Sequence, residues 1–188
     1  MSASKNKFAR SIDETTRVET ETVQGEIKLA FADGRYVVYS RFNGLPMVHI
    51  RQYDTRIMSN GDRREYPSKK GACFTPIRLK ALRNRFDEID ENMKIDAYKT
   101  HLGAGLFASI NGFNGVDLRW HWVPAGQPSF VPTKRGIFLP AVQWMEVKKK
   151  IQELVEKFPE LDAEDECFHA NQMEIYDCRE CTPYGYNP

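Results

Sequence analysis

The sequence predicts an α+β protein built from two tandem modules, each a curved antiparallel sheet backed by a C-terminal helix. Three observations carry this. Alternating polar and apolar runs are separated by the hairpin dipeptides Asp33-Gly34 and Asn43-Gly44. A helical pattern opens at Thr75-Pro76. The order of hairpin turn, strand ending in Arg, basic turn and helix then occurs a second time.

Residues 1–24 mix Ser, Thr, Lys and Glu with little periodicity and are expected to form a mobile arm. They contain no apolar segment of the kind a secretory signal needs. Glu26 to Phe31 alternates as a strand does. Arg35 to Phe42 is rich in aromatic and β-branched residues, and Met47 to Tyr53 alternates again. After a polar loop from Met58 to Arg64, Tyr66 to Phe74 reads as a turn feeding a short strand. In the helix that follows, Ile77, Ala81, Leu82, Phe86 and Ile89 fall on one face. These signals place a first module at 25–95, a second at 96–158 and a cysteine-containing tail at 159–188.

Phe42 to Arg51 aligns without a gap on Ile110 to Arg119. Pro67 to Gly71 (Pro-Ser-Lys-Lys-Gly) aligns on Pro132 to Gly136 (Pro-Thr-Lys-Arg-Gly). In the helices, Ile77, Leu82, Phe86 and Ile89 pair with Val142, Val147, Ile151 and Leu154. The opening strands of the second copy, Lys99 to Ala108, are weakened by Gly103 and Gly105. Its helix has Leu139 where the first has Thr75.

Of 188 residues, 27 are Lys or Arg and 26 Asp or Glu, giving a net charge of +1. The distribution is uneven. Arg51, Arg56, Arg63, Arg64, Lys69 and Lys70 crowd one stretch, whereas acidic residues gather from Glu160 to Glu166. A polyanion meets the local patch and not the total. Hydrophobic residues make up 41%, enough for a packed core, with no run long enough to span a membrane. Four cysteines without a signal peptide suggest a reducing, intracellular compartment, nuclear in a eukaryotic or virally infected host.

Taken together, Arg35-Tyr36, Phe42 to Gly44, Val48 to Tyr53, Lys69-Lys70-Gly71 and the Pro76 helix resemble the positive cofactor four family of transcriptional coactivators and single-stranded DNA binders. Val116 to Trp122, Pro132 to Gly136 and the segment from Leu139 resemble it a second time. The resemblance implies four strands per sheet and modules paired through their helices, here as an internal pseudo-dimer or as a dimer of chains. It also implies opposed channels for two antiparallel single strands, and no catalysis. Expected partners are single-stranded DNA, with RNA or melted duplex as alternatives, transcription or replication machinery, and a second copy through the helices. A protein-interaction adaptor that keeps the fold is the alternative function.

A single-strand binder needs a cationic groove and flat side chains for bases. Lys69, Lys70, Lys134 and Arg135 stand beside Gly in the two basic turns and are candidate phosphate contacts. Arg51 and Arg119 close equivalent strands, where the alternative role is a cross-strand salt bridge. Arg41 lies near the groove. Phe42 and Trp122 match the family's stacking positions, but their counterparts are Ile110 and Asp54, so each half keeps one. Tyr53, Trp120 and Phe113 are possible substitutes. In a regular strand Trp120 and Trp122 would point the same way as Val116 and Leu118, toward the core; a bulge would change that.

In the tail, Cys167, His169, Cys178 and Cys181 could ligate zinc, the Cys-x-x-Cys pair having the spacing a tetrahedral metal takes. Ordinary reduced cysteines are the alternative. No Gly-rich phosphate loop, nucleophile elbow or spaced carboxylate-His set stands in the module region, so no enzyme is expected.

Overall fold

A computed structural model describes residues 22–23, 25–95, 97–127, 129–167, 178, 180 and 181. The chain runs through two antiparallel meanders. The first joins β1 (Thr22–Val23), β2 (Glu26–Ala32), β3 (Arg35–Phe42), β4 (Leu45–Ile57) and β5 (Arg63–Phe74) in sequence order. Two short helices follow, α1 (Pro76–Arg83) and α2 (Phe86–Asn92). The second meander joins β6 (Tyr98–Gly103), β7 (Leu106–Ile110), β8 (Gly115–Trp122) and β9 (Val131–Pro140). Helix α3 (Ala141–Lys157) and a 3₁₀ turn (Pro159–Leu161) close the described fold. The fold is therefore α+β with two meander sheets and a C-terminal helix, as the hairpin signals imply. Each sheet has four long strands, and the first gains the two-residue β1, whose Thr22 and Val23 pair with Ile27 and Glu26. The rest of the arm expected over 1–24 lies outside the described residues.

Four expectations need correction. The basic segments are not turns. Each lies inside a long strand as a bulge, because β4 continues to Ile57 and β8 to Trp122, carrying β5 and β9 past the sheet body. Pairing passes from Arg51 opposite Gly71 to Tyr53 opposite Pro67, so Gln52 alone faces Ser68, Lys69 and Lys70. In the second copy it passes from Arg119 opposite Gly136 to His121 opposite Pro132, so Trp120 faces Thr133, Lys134 and Arg135. Proline and glycine, which punctuate turns, here bracket a bulge.

Second, the gapless alignment is out of step by three residues before β8. Arg51 pairs with Tyr36 and Arg119 with Phe107, so Tyr36 and Phe107 are equivalent. Three residues on, Tyr39 and Ile110 are equivalent, and both are buried. Phe42 is thus level with Phe113, not Ile110. The Asn43-Gly44 turn, left-handed at both residues, occupies two positions; the second hairpin spans four.

Third, the first helix breaks at Asn84–Arg85. Arg85 Nη1 folds back to the freed Ala81 carbonyl at 2.7 Å. The break aims Phe86 edge-on at Trp144, with ring centroids 5.4 Å apart. Pro76 and Leu79, not Ile77, are the buried residues of the first turn, and the equivalent of Leu79, Trp144, is fully buried while Val142 is exposed.

Fourth, Leu139 is not at the N-cap of α3. It is the next-to-last residue of β9, fully buried like Phe74, and Pro140 takes the cap position. Thr75 does sit at the N-cap of α1, but its hydroxyl makes no capping bond and is buried without a partner among the described residues.

Gly103 and Gly105 do not prevent β6 and β7. They fall at the hairpin between them, where His101 pairs with Phe107 before the register shifts at Gly103. One hydrophobic core runs through both halves: Val37, Val48, Ile50, Phe74, Leu79 and Ile89 join Leu106, Val116, Leu118, Trp144, Ile151 and Leu154. Helix α3 lies against β2 and β3 of the first sheet as well as β8 and β9 of its own, and α1 reaches β6. Trp144 Nε1 donates to Asp90 Oδ1 at 2.7 Å, and Lys148 holds the other oxygen of that carboxylate. No helix among the described residues is long and apolar enough to cross a membrane.

Candidate nucleic-acid interface

The two bulges are built alike. In the first, Arg51 Nη1 donates to the Ser68 carbonyl at 2.9 Å, and Ser68 Oγ accepts from the Lys70 N–H at 3.1 Å. In the second, Arg119 Nη1 donates to the Thr133 carbonyl at 2.9 Å, and Thr133 Oγ1 accepts from the Arg135 N–H at 3.1 Å. The arginine fixes the bulge backbone, and the hydroxyl turns the two cationic residues outward. The glycine that follows is required by crowding. A Cβ on Gly71 would lie 2.8 Å from the Ile50 carbonyl oxygen, and one on Gly136 would lie 2.7 Å from that of Leu118. Serine or threonine, two cations and glycine are therefore one structural device used twice.

The halves dock with β5 beside β9, which brings both bulges to one region. Arg51, Lys69, Gly71, Cys73, Trp120, Lys134 and Arg135 line a cleft of about 650 Å³. Beside it, Arg35, Gln52, Lys70, Arg119, Lys134 and Gln143 line much of a second depression of about 390 Å³. Lys134 belongs to both. No carboxylate lines either one, and Lys69, Lys70, Lys134 and Arg135 are exposed and make no ion pair among the described residues. Cations so arranged attract a polyanion without a competing internal partner.

Trp120 is the aromatic wall of the cleft. The bulge opposite it breaks the strand parity: Val116 and Leu118 are buried, Trp120 is half-buried, and beyond it His121 turns in while Trp122 turns out, 47% exposed. The Arg78 guanidinium lies 5.4 Å from the Trp120 ring centroid. Trp122, Phe42 and Arg41 line neither cleft. Phe42 is at a hairpin tip, 69% exposed, and Arg41 is engaged by Glu160 at 2.7 Å and by the Tyr39 hydroxyl. The sequence pattern did not single out Cys73, Gln52 or Gln143. Gln52 was findable, because it is the repeat partner of Trp120.

The two arginines differ. Asp117 grips Arg119 through both carboxylate oxygens, at 2.7 and 3.0 Å. The residue equivalent to Asp117 is His49, so Arg51 keeps its charge for the cleft. His49 is held below the ordinary histidine range by burial first and the Arg51 charge second. It therefore stays neutral near pH 7, 3.2 Å from Ser40 Oγ. Burial pushes the Cys73 thiol up, against the Arg51 and Arg78 charges.

A second duplicated group spans β2 to β4 in the first sheet and β6 to β8 in the second. Lys28 Nζ sits 4.2 Å from the Tyr53 ring centroid and 5.7 Å from that of Tyr36. Its equivalent, Lys99, sits 4.6 Å from the Phe107 centroid, and Phe107 meets His121 at 4.6 Å. Each such pair attracts a lysine to a ring face beside a bulge.

In the tail, the Sγ atoms of Cys167, Cys178 and Cys181 lie within 4.8 Å of one another. His169, the fourth residue expected there, lies outside the described residues. Burial raises the Cys178 thiol, but hydrogen bonds from the Cys181 and Glu180 backbone and from Cys167 outweigh it and bring Cys178 down to about 7. Burial, with the other two sulfurs adding to it, pushes Cys181 up to about 12. Three sulfurs gathered this closely are a donor set that suits a soft metal ion.

Comparison with protein-family models, with curated proteins and with solved structures returned no match.

Proposed function

We propose that this chain is a non-enzymatic single-stranded nucleic-acid-binding protein, a coactivator-like or replication and repair accessory factor of the positive cofactor four type, with single-stranded DNA as its ligand. The observation that carries the reading is the convergence of both basic bulges, Lys69-Lys70 and Lys134-Arg135, on a cleft walled by Trp120 and the depression beside it, which no carboxylate lines among the described residues. Phosphates meet the four cations and Arg51, while a base stacks on Trp120. Duplex DNA would present its bases edge-on and leave Trp120 unused. The two halves act as an internal pseudo-dimer, a reading supported by their common core and by α3 lying against the first sheet. The solution mass expected is that of one chain, 21.8 kDa.

Titration of labelled oligonucleotides tests this. Single strands should bind more tightly than duplex of the same sequence. The logarithm of affinity should fall with the logarithm of salt with a slope of about −3.5, as five phosphate contacts on a single strand give. Equal affinity for duplex, or no salt dependence, refutes the proposal.

An adaptor function is the second reading, favoured by Phe42 and Leu45, which pair across one hairpin tip and are 69% and 63% exposed. Replacing Lys69, Lys70, Lys134 and Arg135 together by Ala separates the two. The variant loses oligonucleotides if the first reading holds and keeps its partner protein if the second does.

A further inference from the structure

We propose that Cys167, Cys178 and Cys181 ligate one Zn²⁺ ion that fastens the C-terminal segment to α1 and β6. Cys167 Sγ is 3.3 Å from the sulfurs of both Cys178 and Cys181. A disulfide joins two sulfurs and leaves a third aside, whereas ligands of one atom gather around a common point. Sulfurs on a tetrahedral zinc, each about 2.3 Å from the metal, stand about 3.8 Å apart, close to the spacing here. Cys178 and Cys181 have the Cys-x-x-Cys spacing of a zinc turn. The fourth position takes one further donor or water.

The backbone around the sulfurs is already anchored to the fold. The Glu180 carbonyl accepts from the Ala104 N–H at 2.7 Å, at the β6–β7 hairpin. The Glu180 carboxylate takes a forked pair of bonds from Arg78 on α1, at 2.8 and 2.7 Å. Glu166, next to Cys167, accepts from Arg85 at 2.6 Å. The segment leading to Cys167 is polar beyond Leu161, so it has little apolar surface with which to dock; a metal supplies that binding energy instead. A consequence follows for the cleft. Glu180 lies inside the Cys-x-x-Cys turn and holds Arg78, and Arg78 covers the Trp120 ring. The ion thereby braces the aromatic wall. That second step rests on the strand-binding reading; the metal site does not.

The test uses the full chain purified under reducing conditions, with elemental analysis for metal. About one zinc per chain is expected. Cys167→Ser, Cys178→Ser and Cys181→Ser should each abolish it, and Cys73→Ser should retain it. Because a ligand variant can fail to fold, Co²⁺ is also titrated into metal-stripped wild-type chain, where thiolate-to-cobalt charge-transfer absorption is expected. A chain that takes up neither ion overturns the site. So does an intact mass two hydrogens light that maps to a bond between these cysteines. Glu180→Ala should keep its zinc and lose affinity for a single-stranded oligonucleotide several-fold. Unchanged affinity in that variant overturns the bracing alone, and absence of oligonucleotide binding by the wild type that holds zinc counts against the strand-binding reading only.

Discussion

Arg51 and Arg119 occupy equivalent places and make the same bond to the bulge, yet among the described residues Arg119 is ion-paired, to Asp117, and Arg51 is not. Asp117→Asn should free that charge for the depression containing Lys70 and Lys134. Oligonucleotide affinity should then rise roughly two- to fivefold, the ~0.5–1 kcal/mol of a partly exposed charge contact. Fluorescence titration reads it, and an unchanged or weaker affinity refutes it. His49, His101 and His121 are all held below the ordinary histidine range, mainly by burial. Below about pH 6.5 the unfolded chain takes up protons at these positions that the folded chain resists. Stability is therefore fully present above that pH and declines as pH falls from it toward the depressed folded values. Urea denaturation at pH 7.5 and 5.5 measures the loss, and His49→Gln should reduce it. At this scale the phosphate candidates were legible in the sequence because cations beside glycine are a local pattern. The placement of the aromatic candidates was not, because which side of a strand a tryptophan occupies depends on the bulge across from it.

The bulge is the element that both copies share most closely, and glycine is its tightest point. Gly71→Ala or Gly136→Ala drives a Cβ into a carbonyl of the neighbouring strand. Each should cost about 1–3 kcal/mol, the range for overpacking a site that cannot relax freely. Chemical denaturation checks the stability. Oligonucleotide titration should show the Gly136 variant weakening single-strand affinity as Lys134 and Arg135 shift. The repeat could be found by eye because this device demands a hydroxyl, two residues that point outward, and glycine, at fixed spacing. The three-residue slip in the preceding hairpin could not. Asn-Gly fits both a two-residue turn and the start of a longer loop, and only the ladder pairing of Arg51 with Tyr36 and of Arg119 with Phe107 sets the register. The break in the first helix was hidden for a related reason. Its apolar spacing continues past Asn84, and the bend is set by the docking of Phe86 on Trp144, a residue 58 positions later in the chain.

At the level of the whole molecule, neither half encloses its own core. Trp144 belongs to the second half, but it is buried against Phe86 of the first and bonded to Asp90. Trp144→Ala should cost about 3–5 kcal/mol, as for other buried large aromatics. It should lower the melting of both sheets together, in one transition seen equally by far-ultraviolet circular dichroism and by tryptophan emission. Two separated transitions would show that the halves fold independently. The meeting of the two bulges was not legible in the sequence for this same reason: it depends on β5 lying beside β9, a long-range packing that no local pattern encodes.

The facing positions Gln52 and Trp120 have a further consequence. A nucleic-acid strand has a direction, 5′ to 3′, and a binding surface with a true two-fold axis cannot tell one direction from the other. Two identical subunits would have that axis and would accept a strand either way round. Here both bulges are written separately in one chain, so Gln52 could diverge from Trp120, and His49 from Asp117, without a matching change on the other side. Fusing the halves removes the axis and gives the cleft a polarity, with its aromatic at one bulge and its freest arginine at the other.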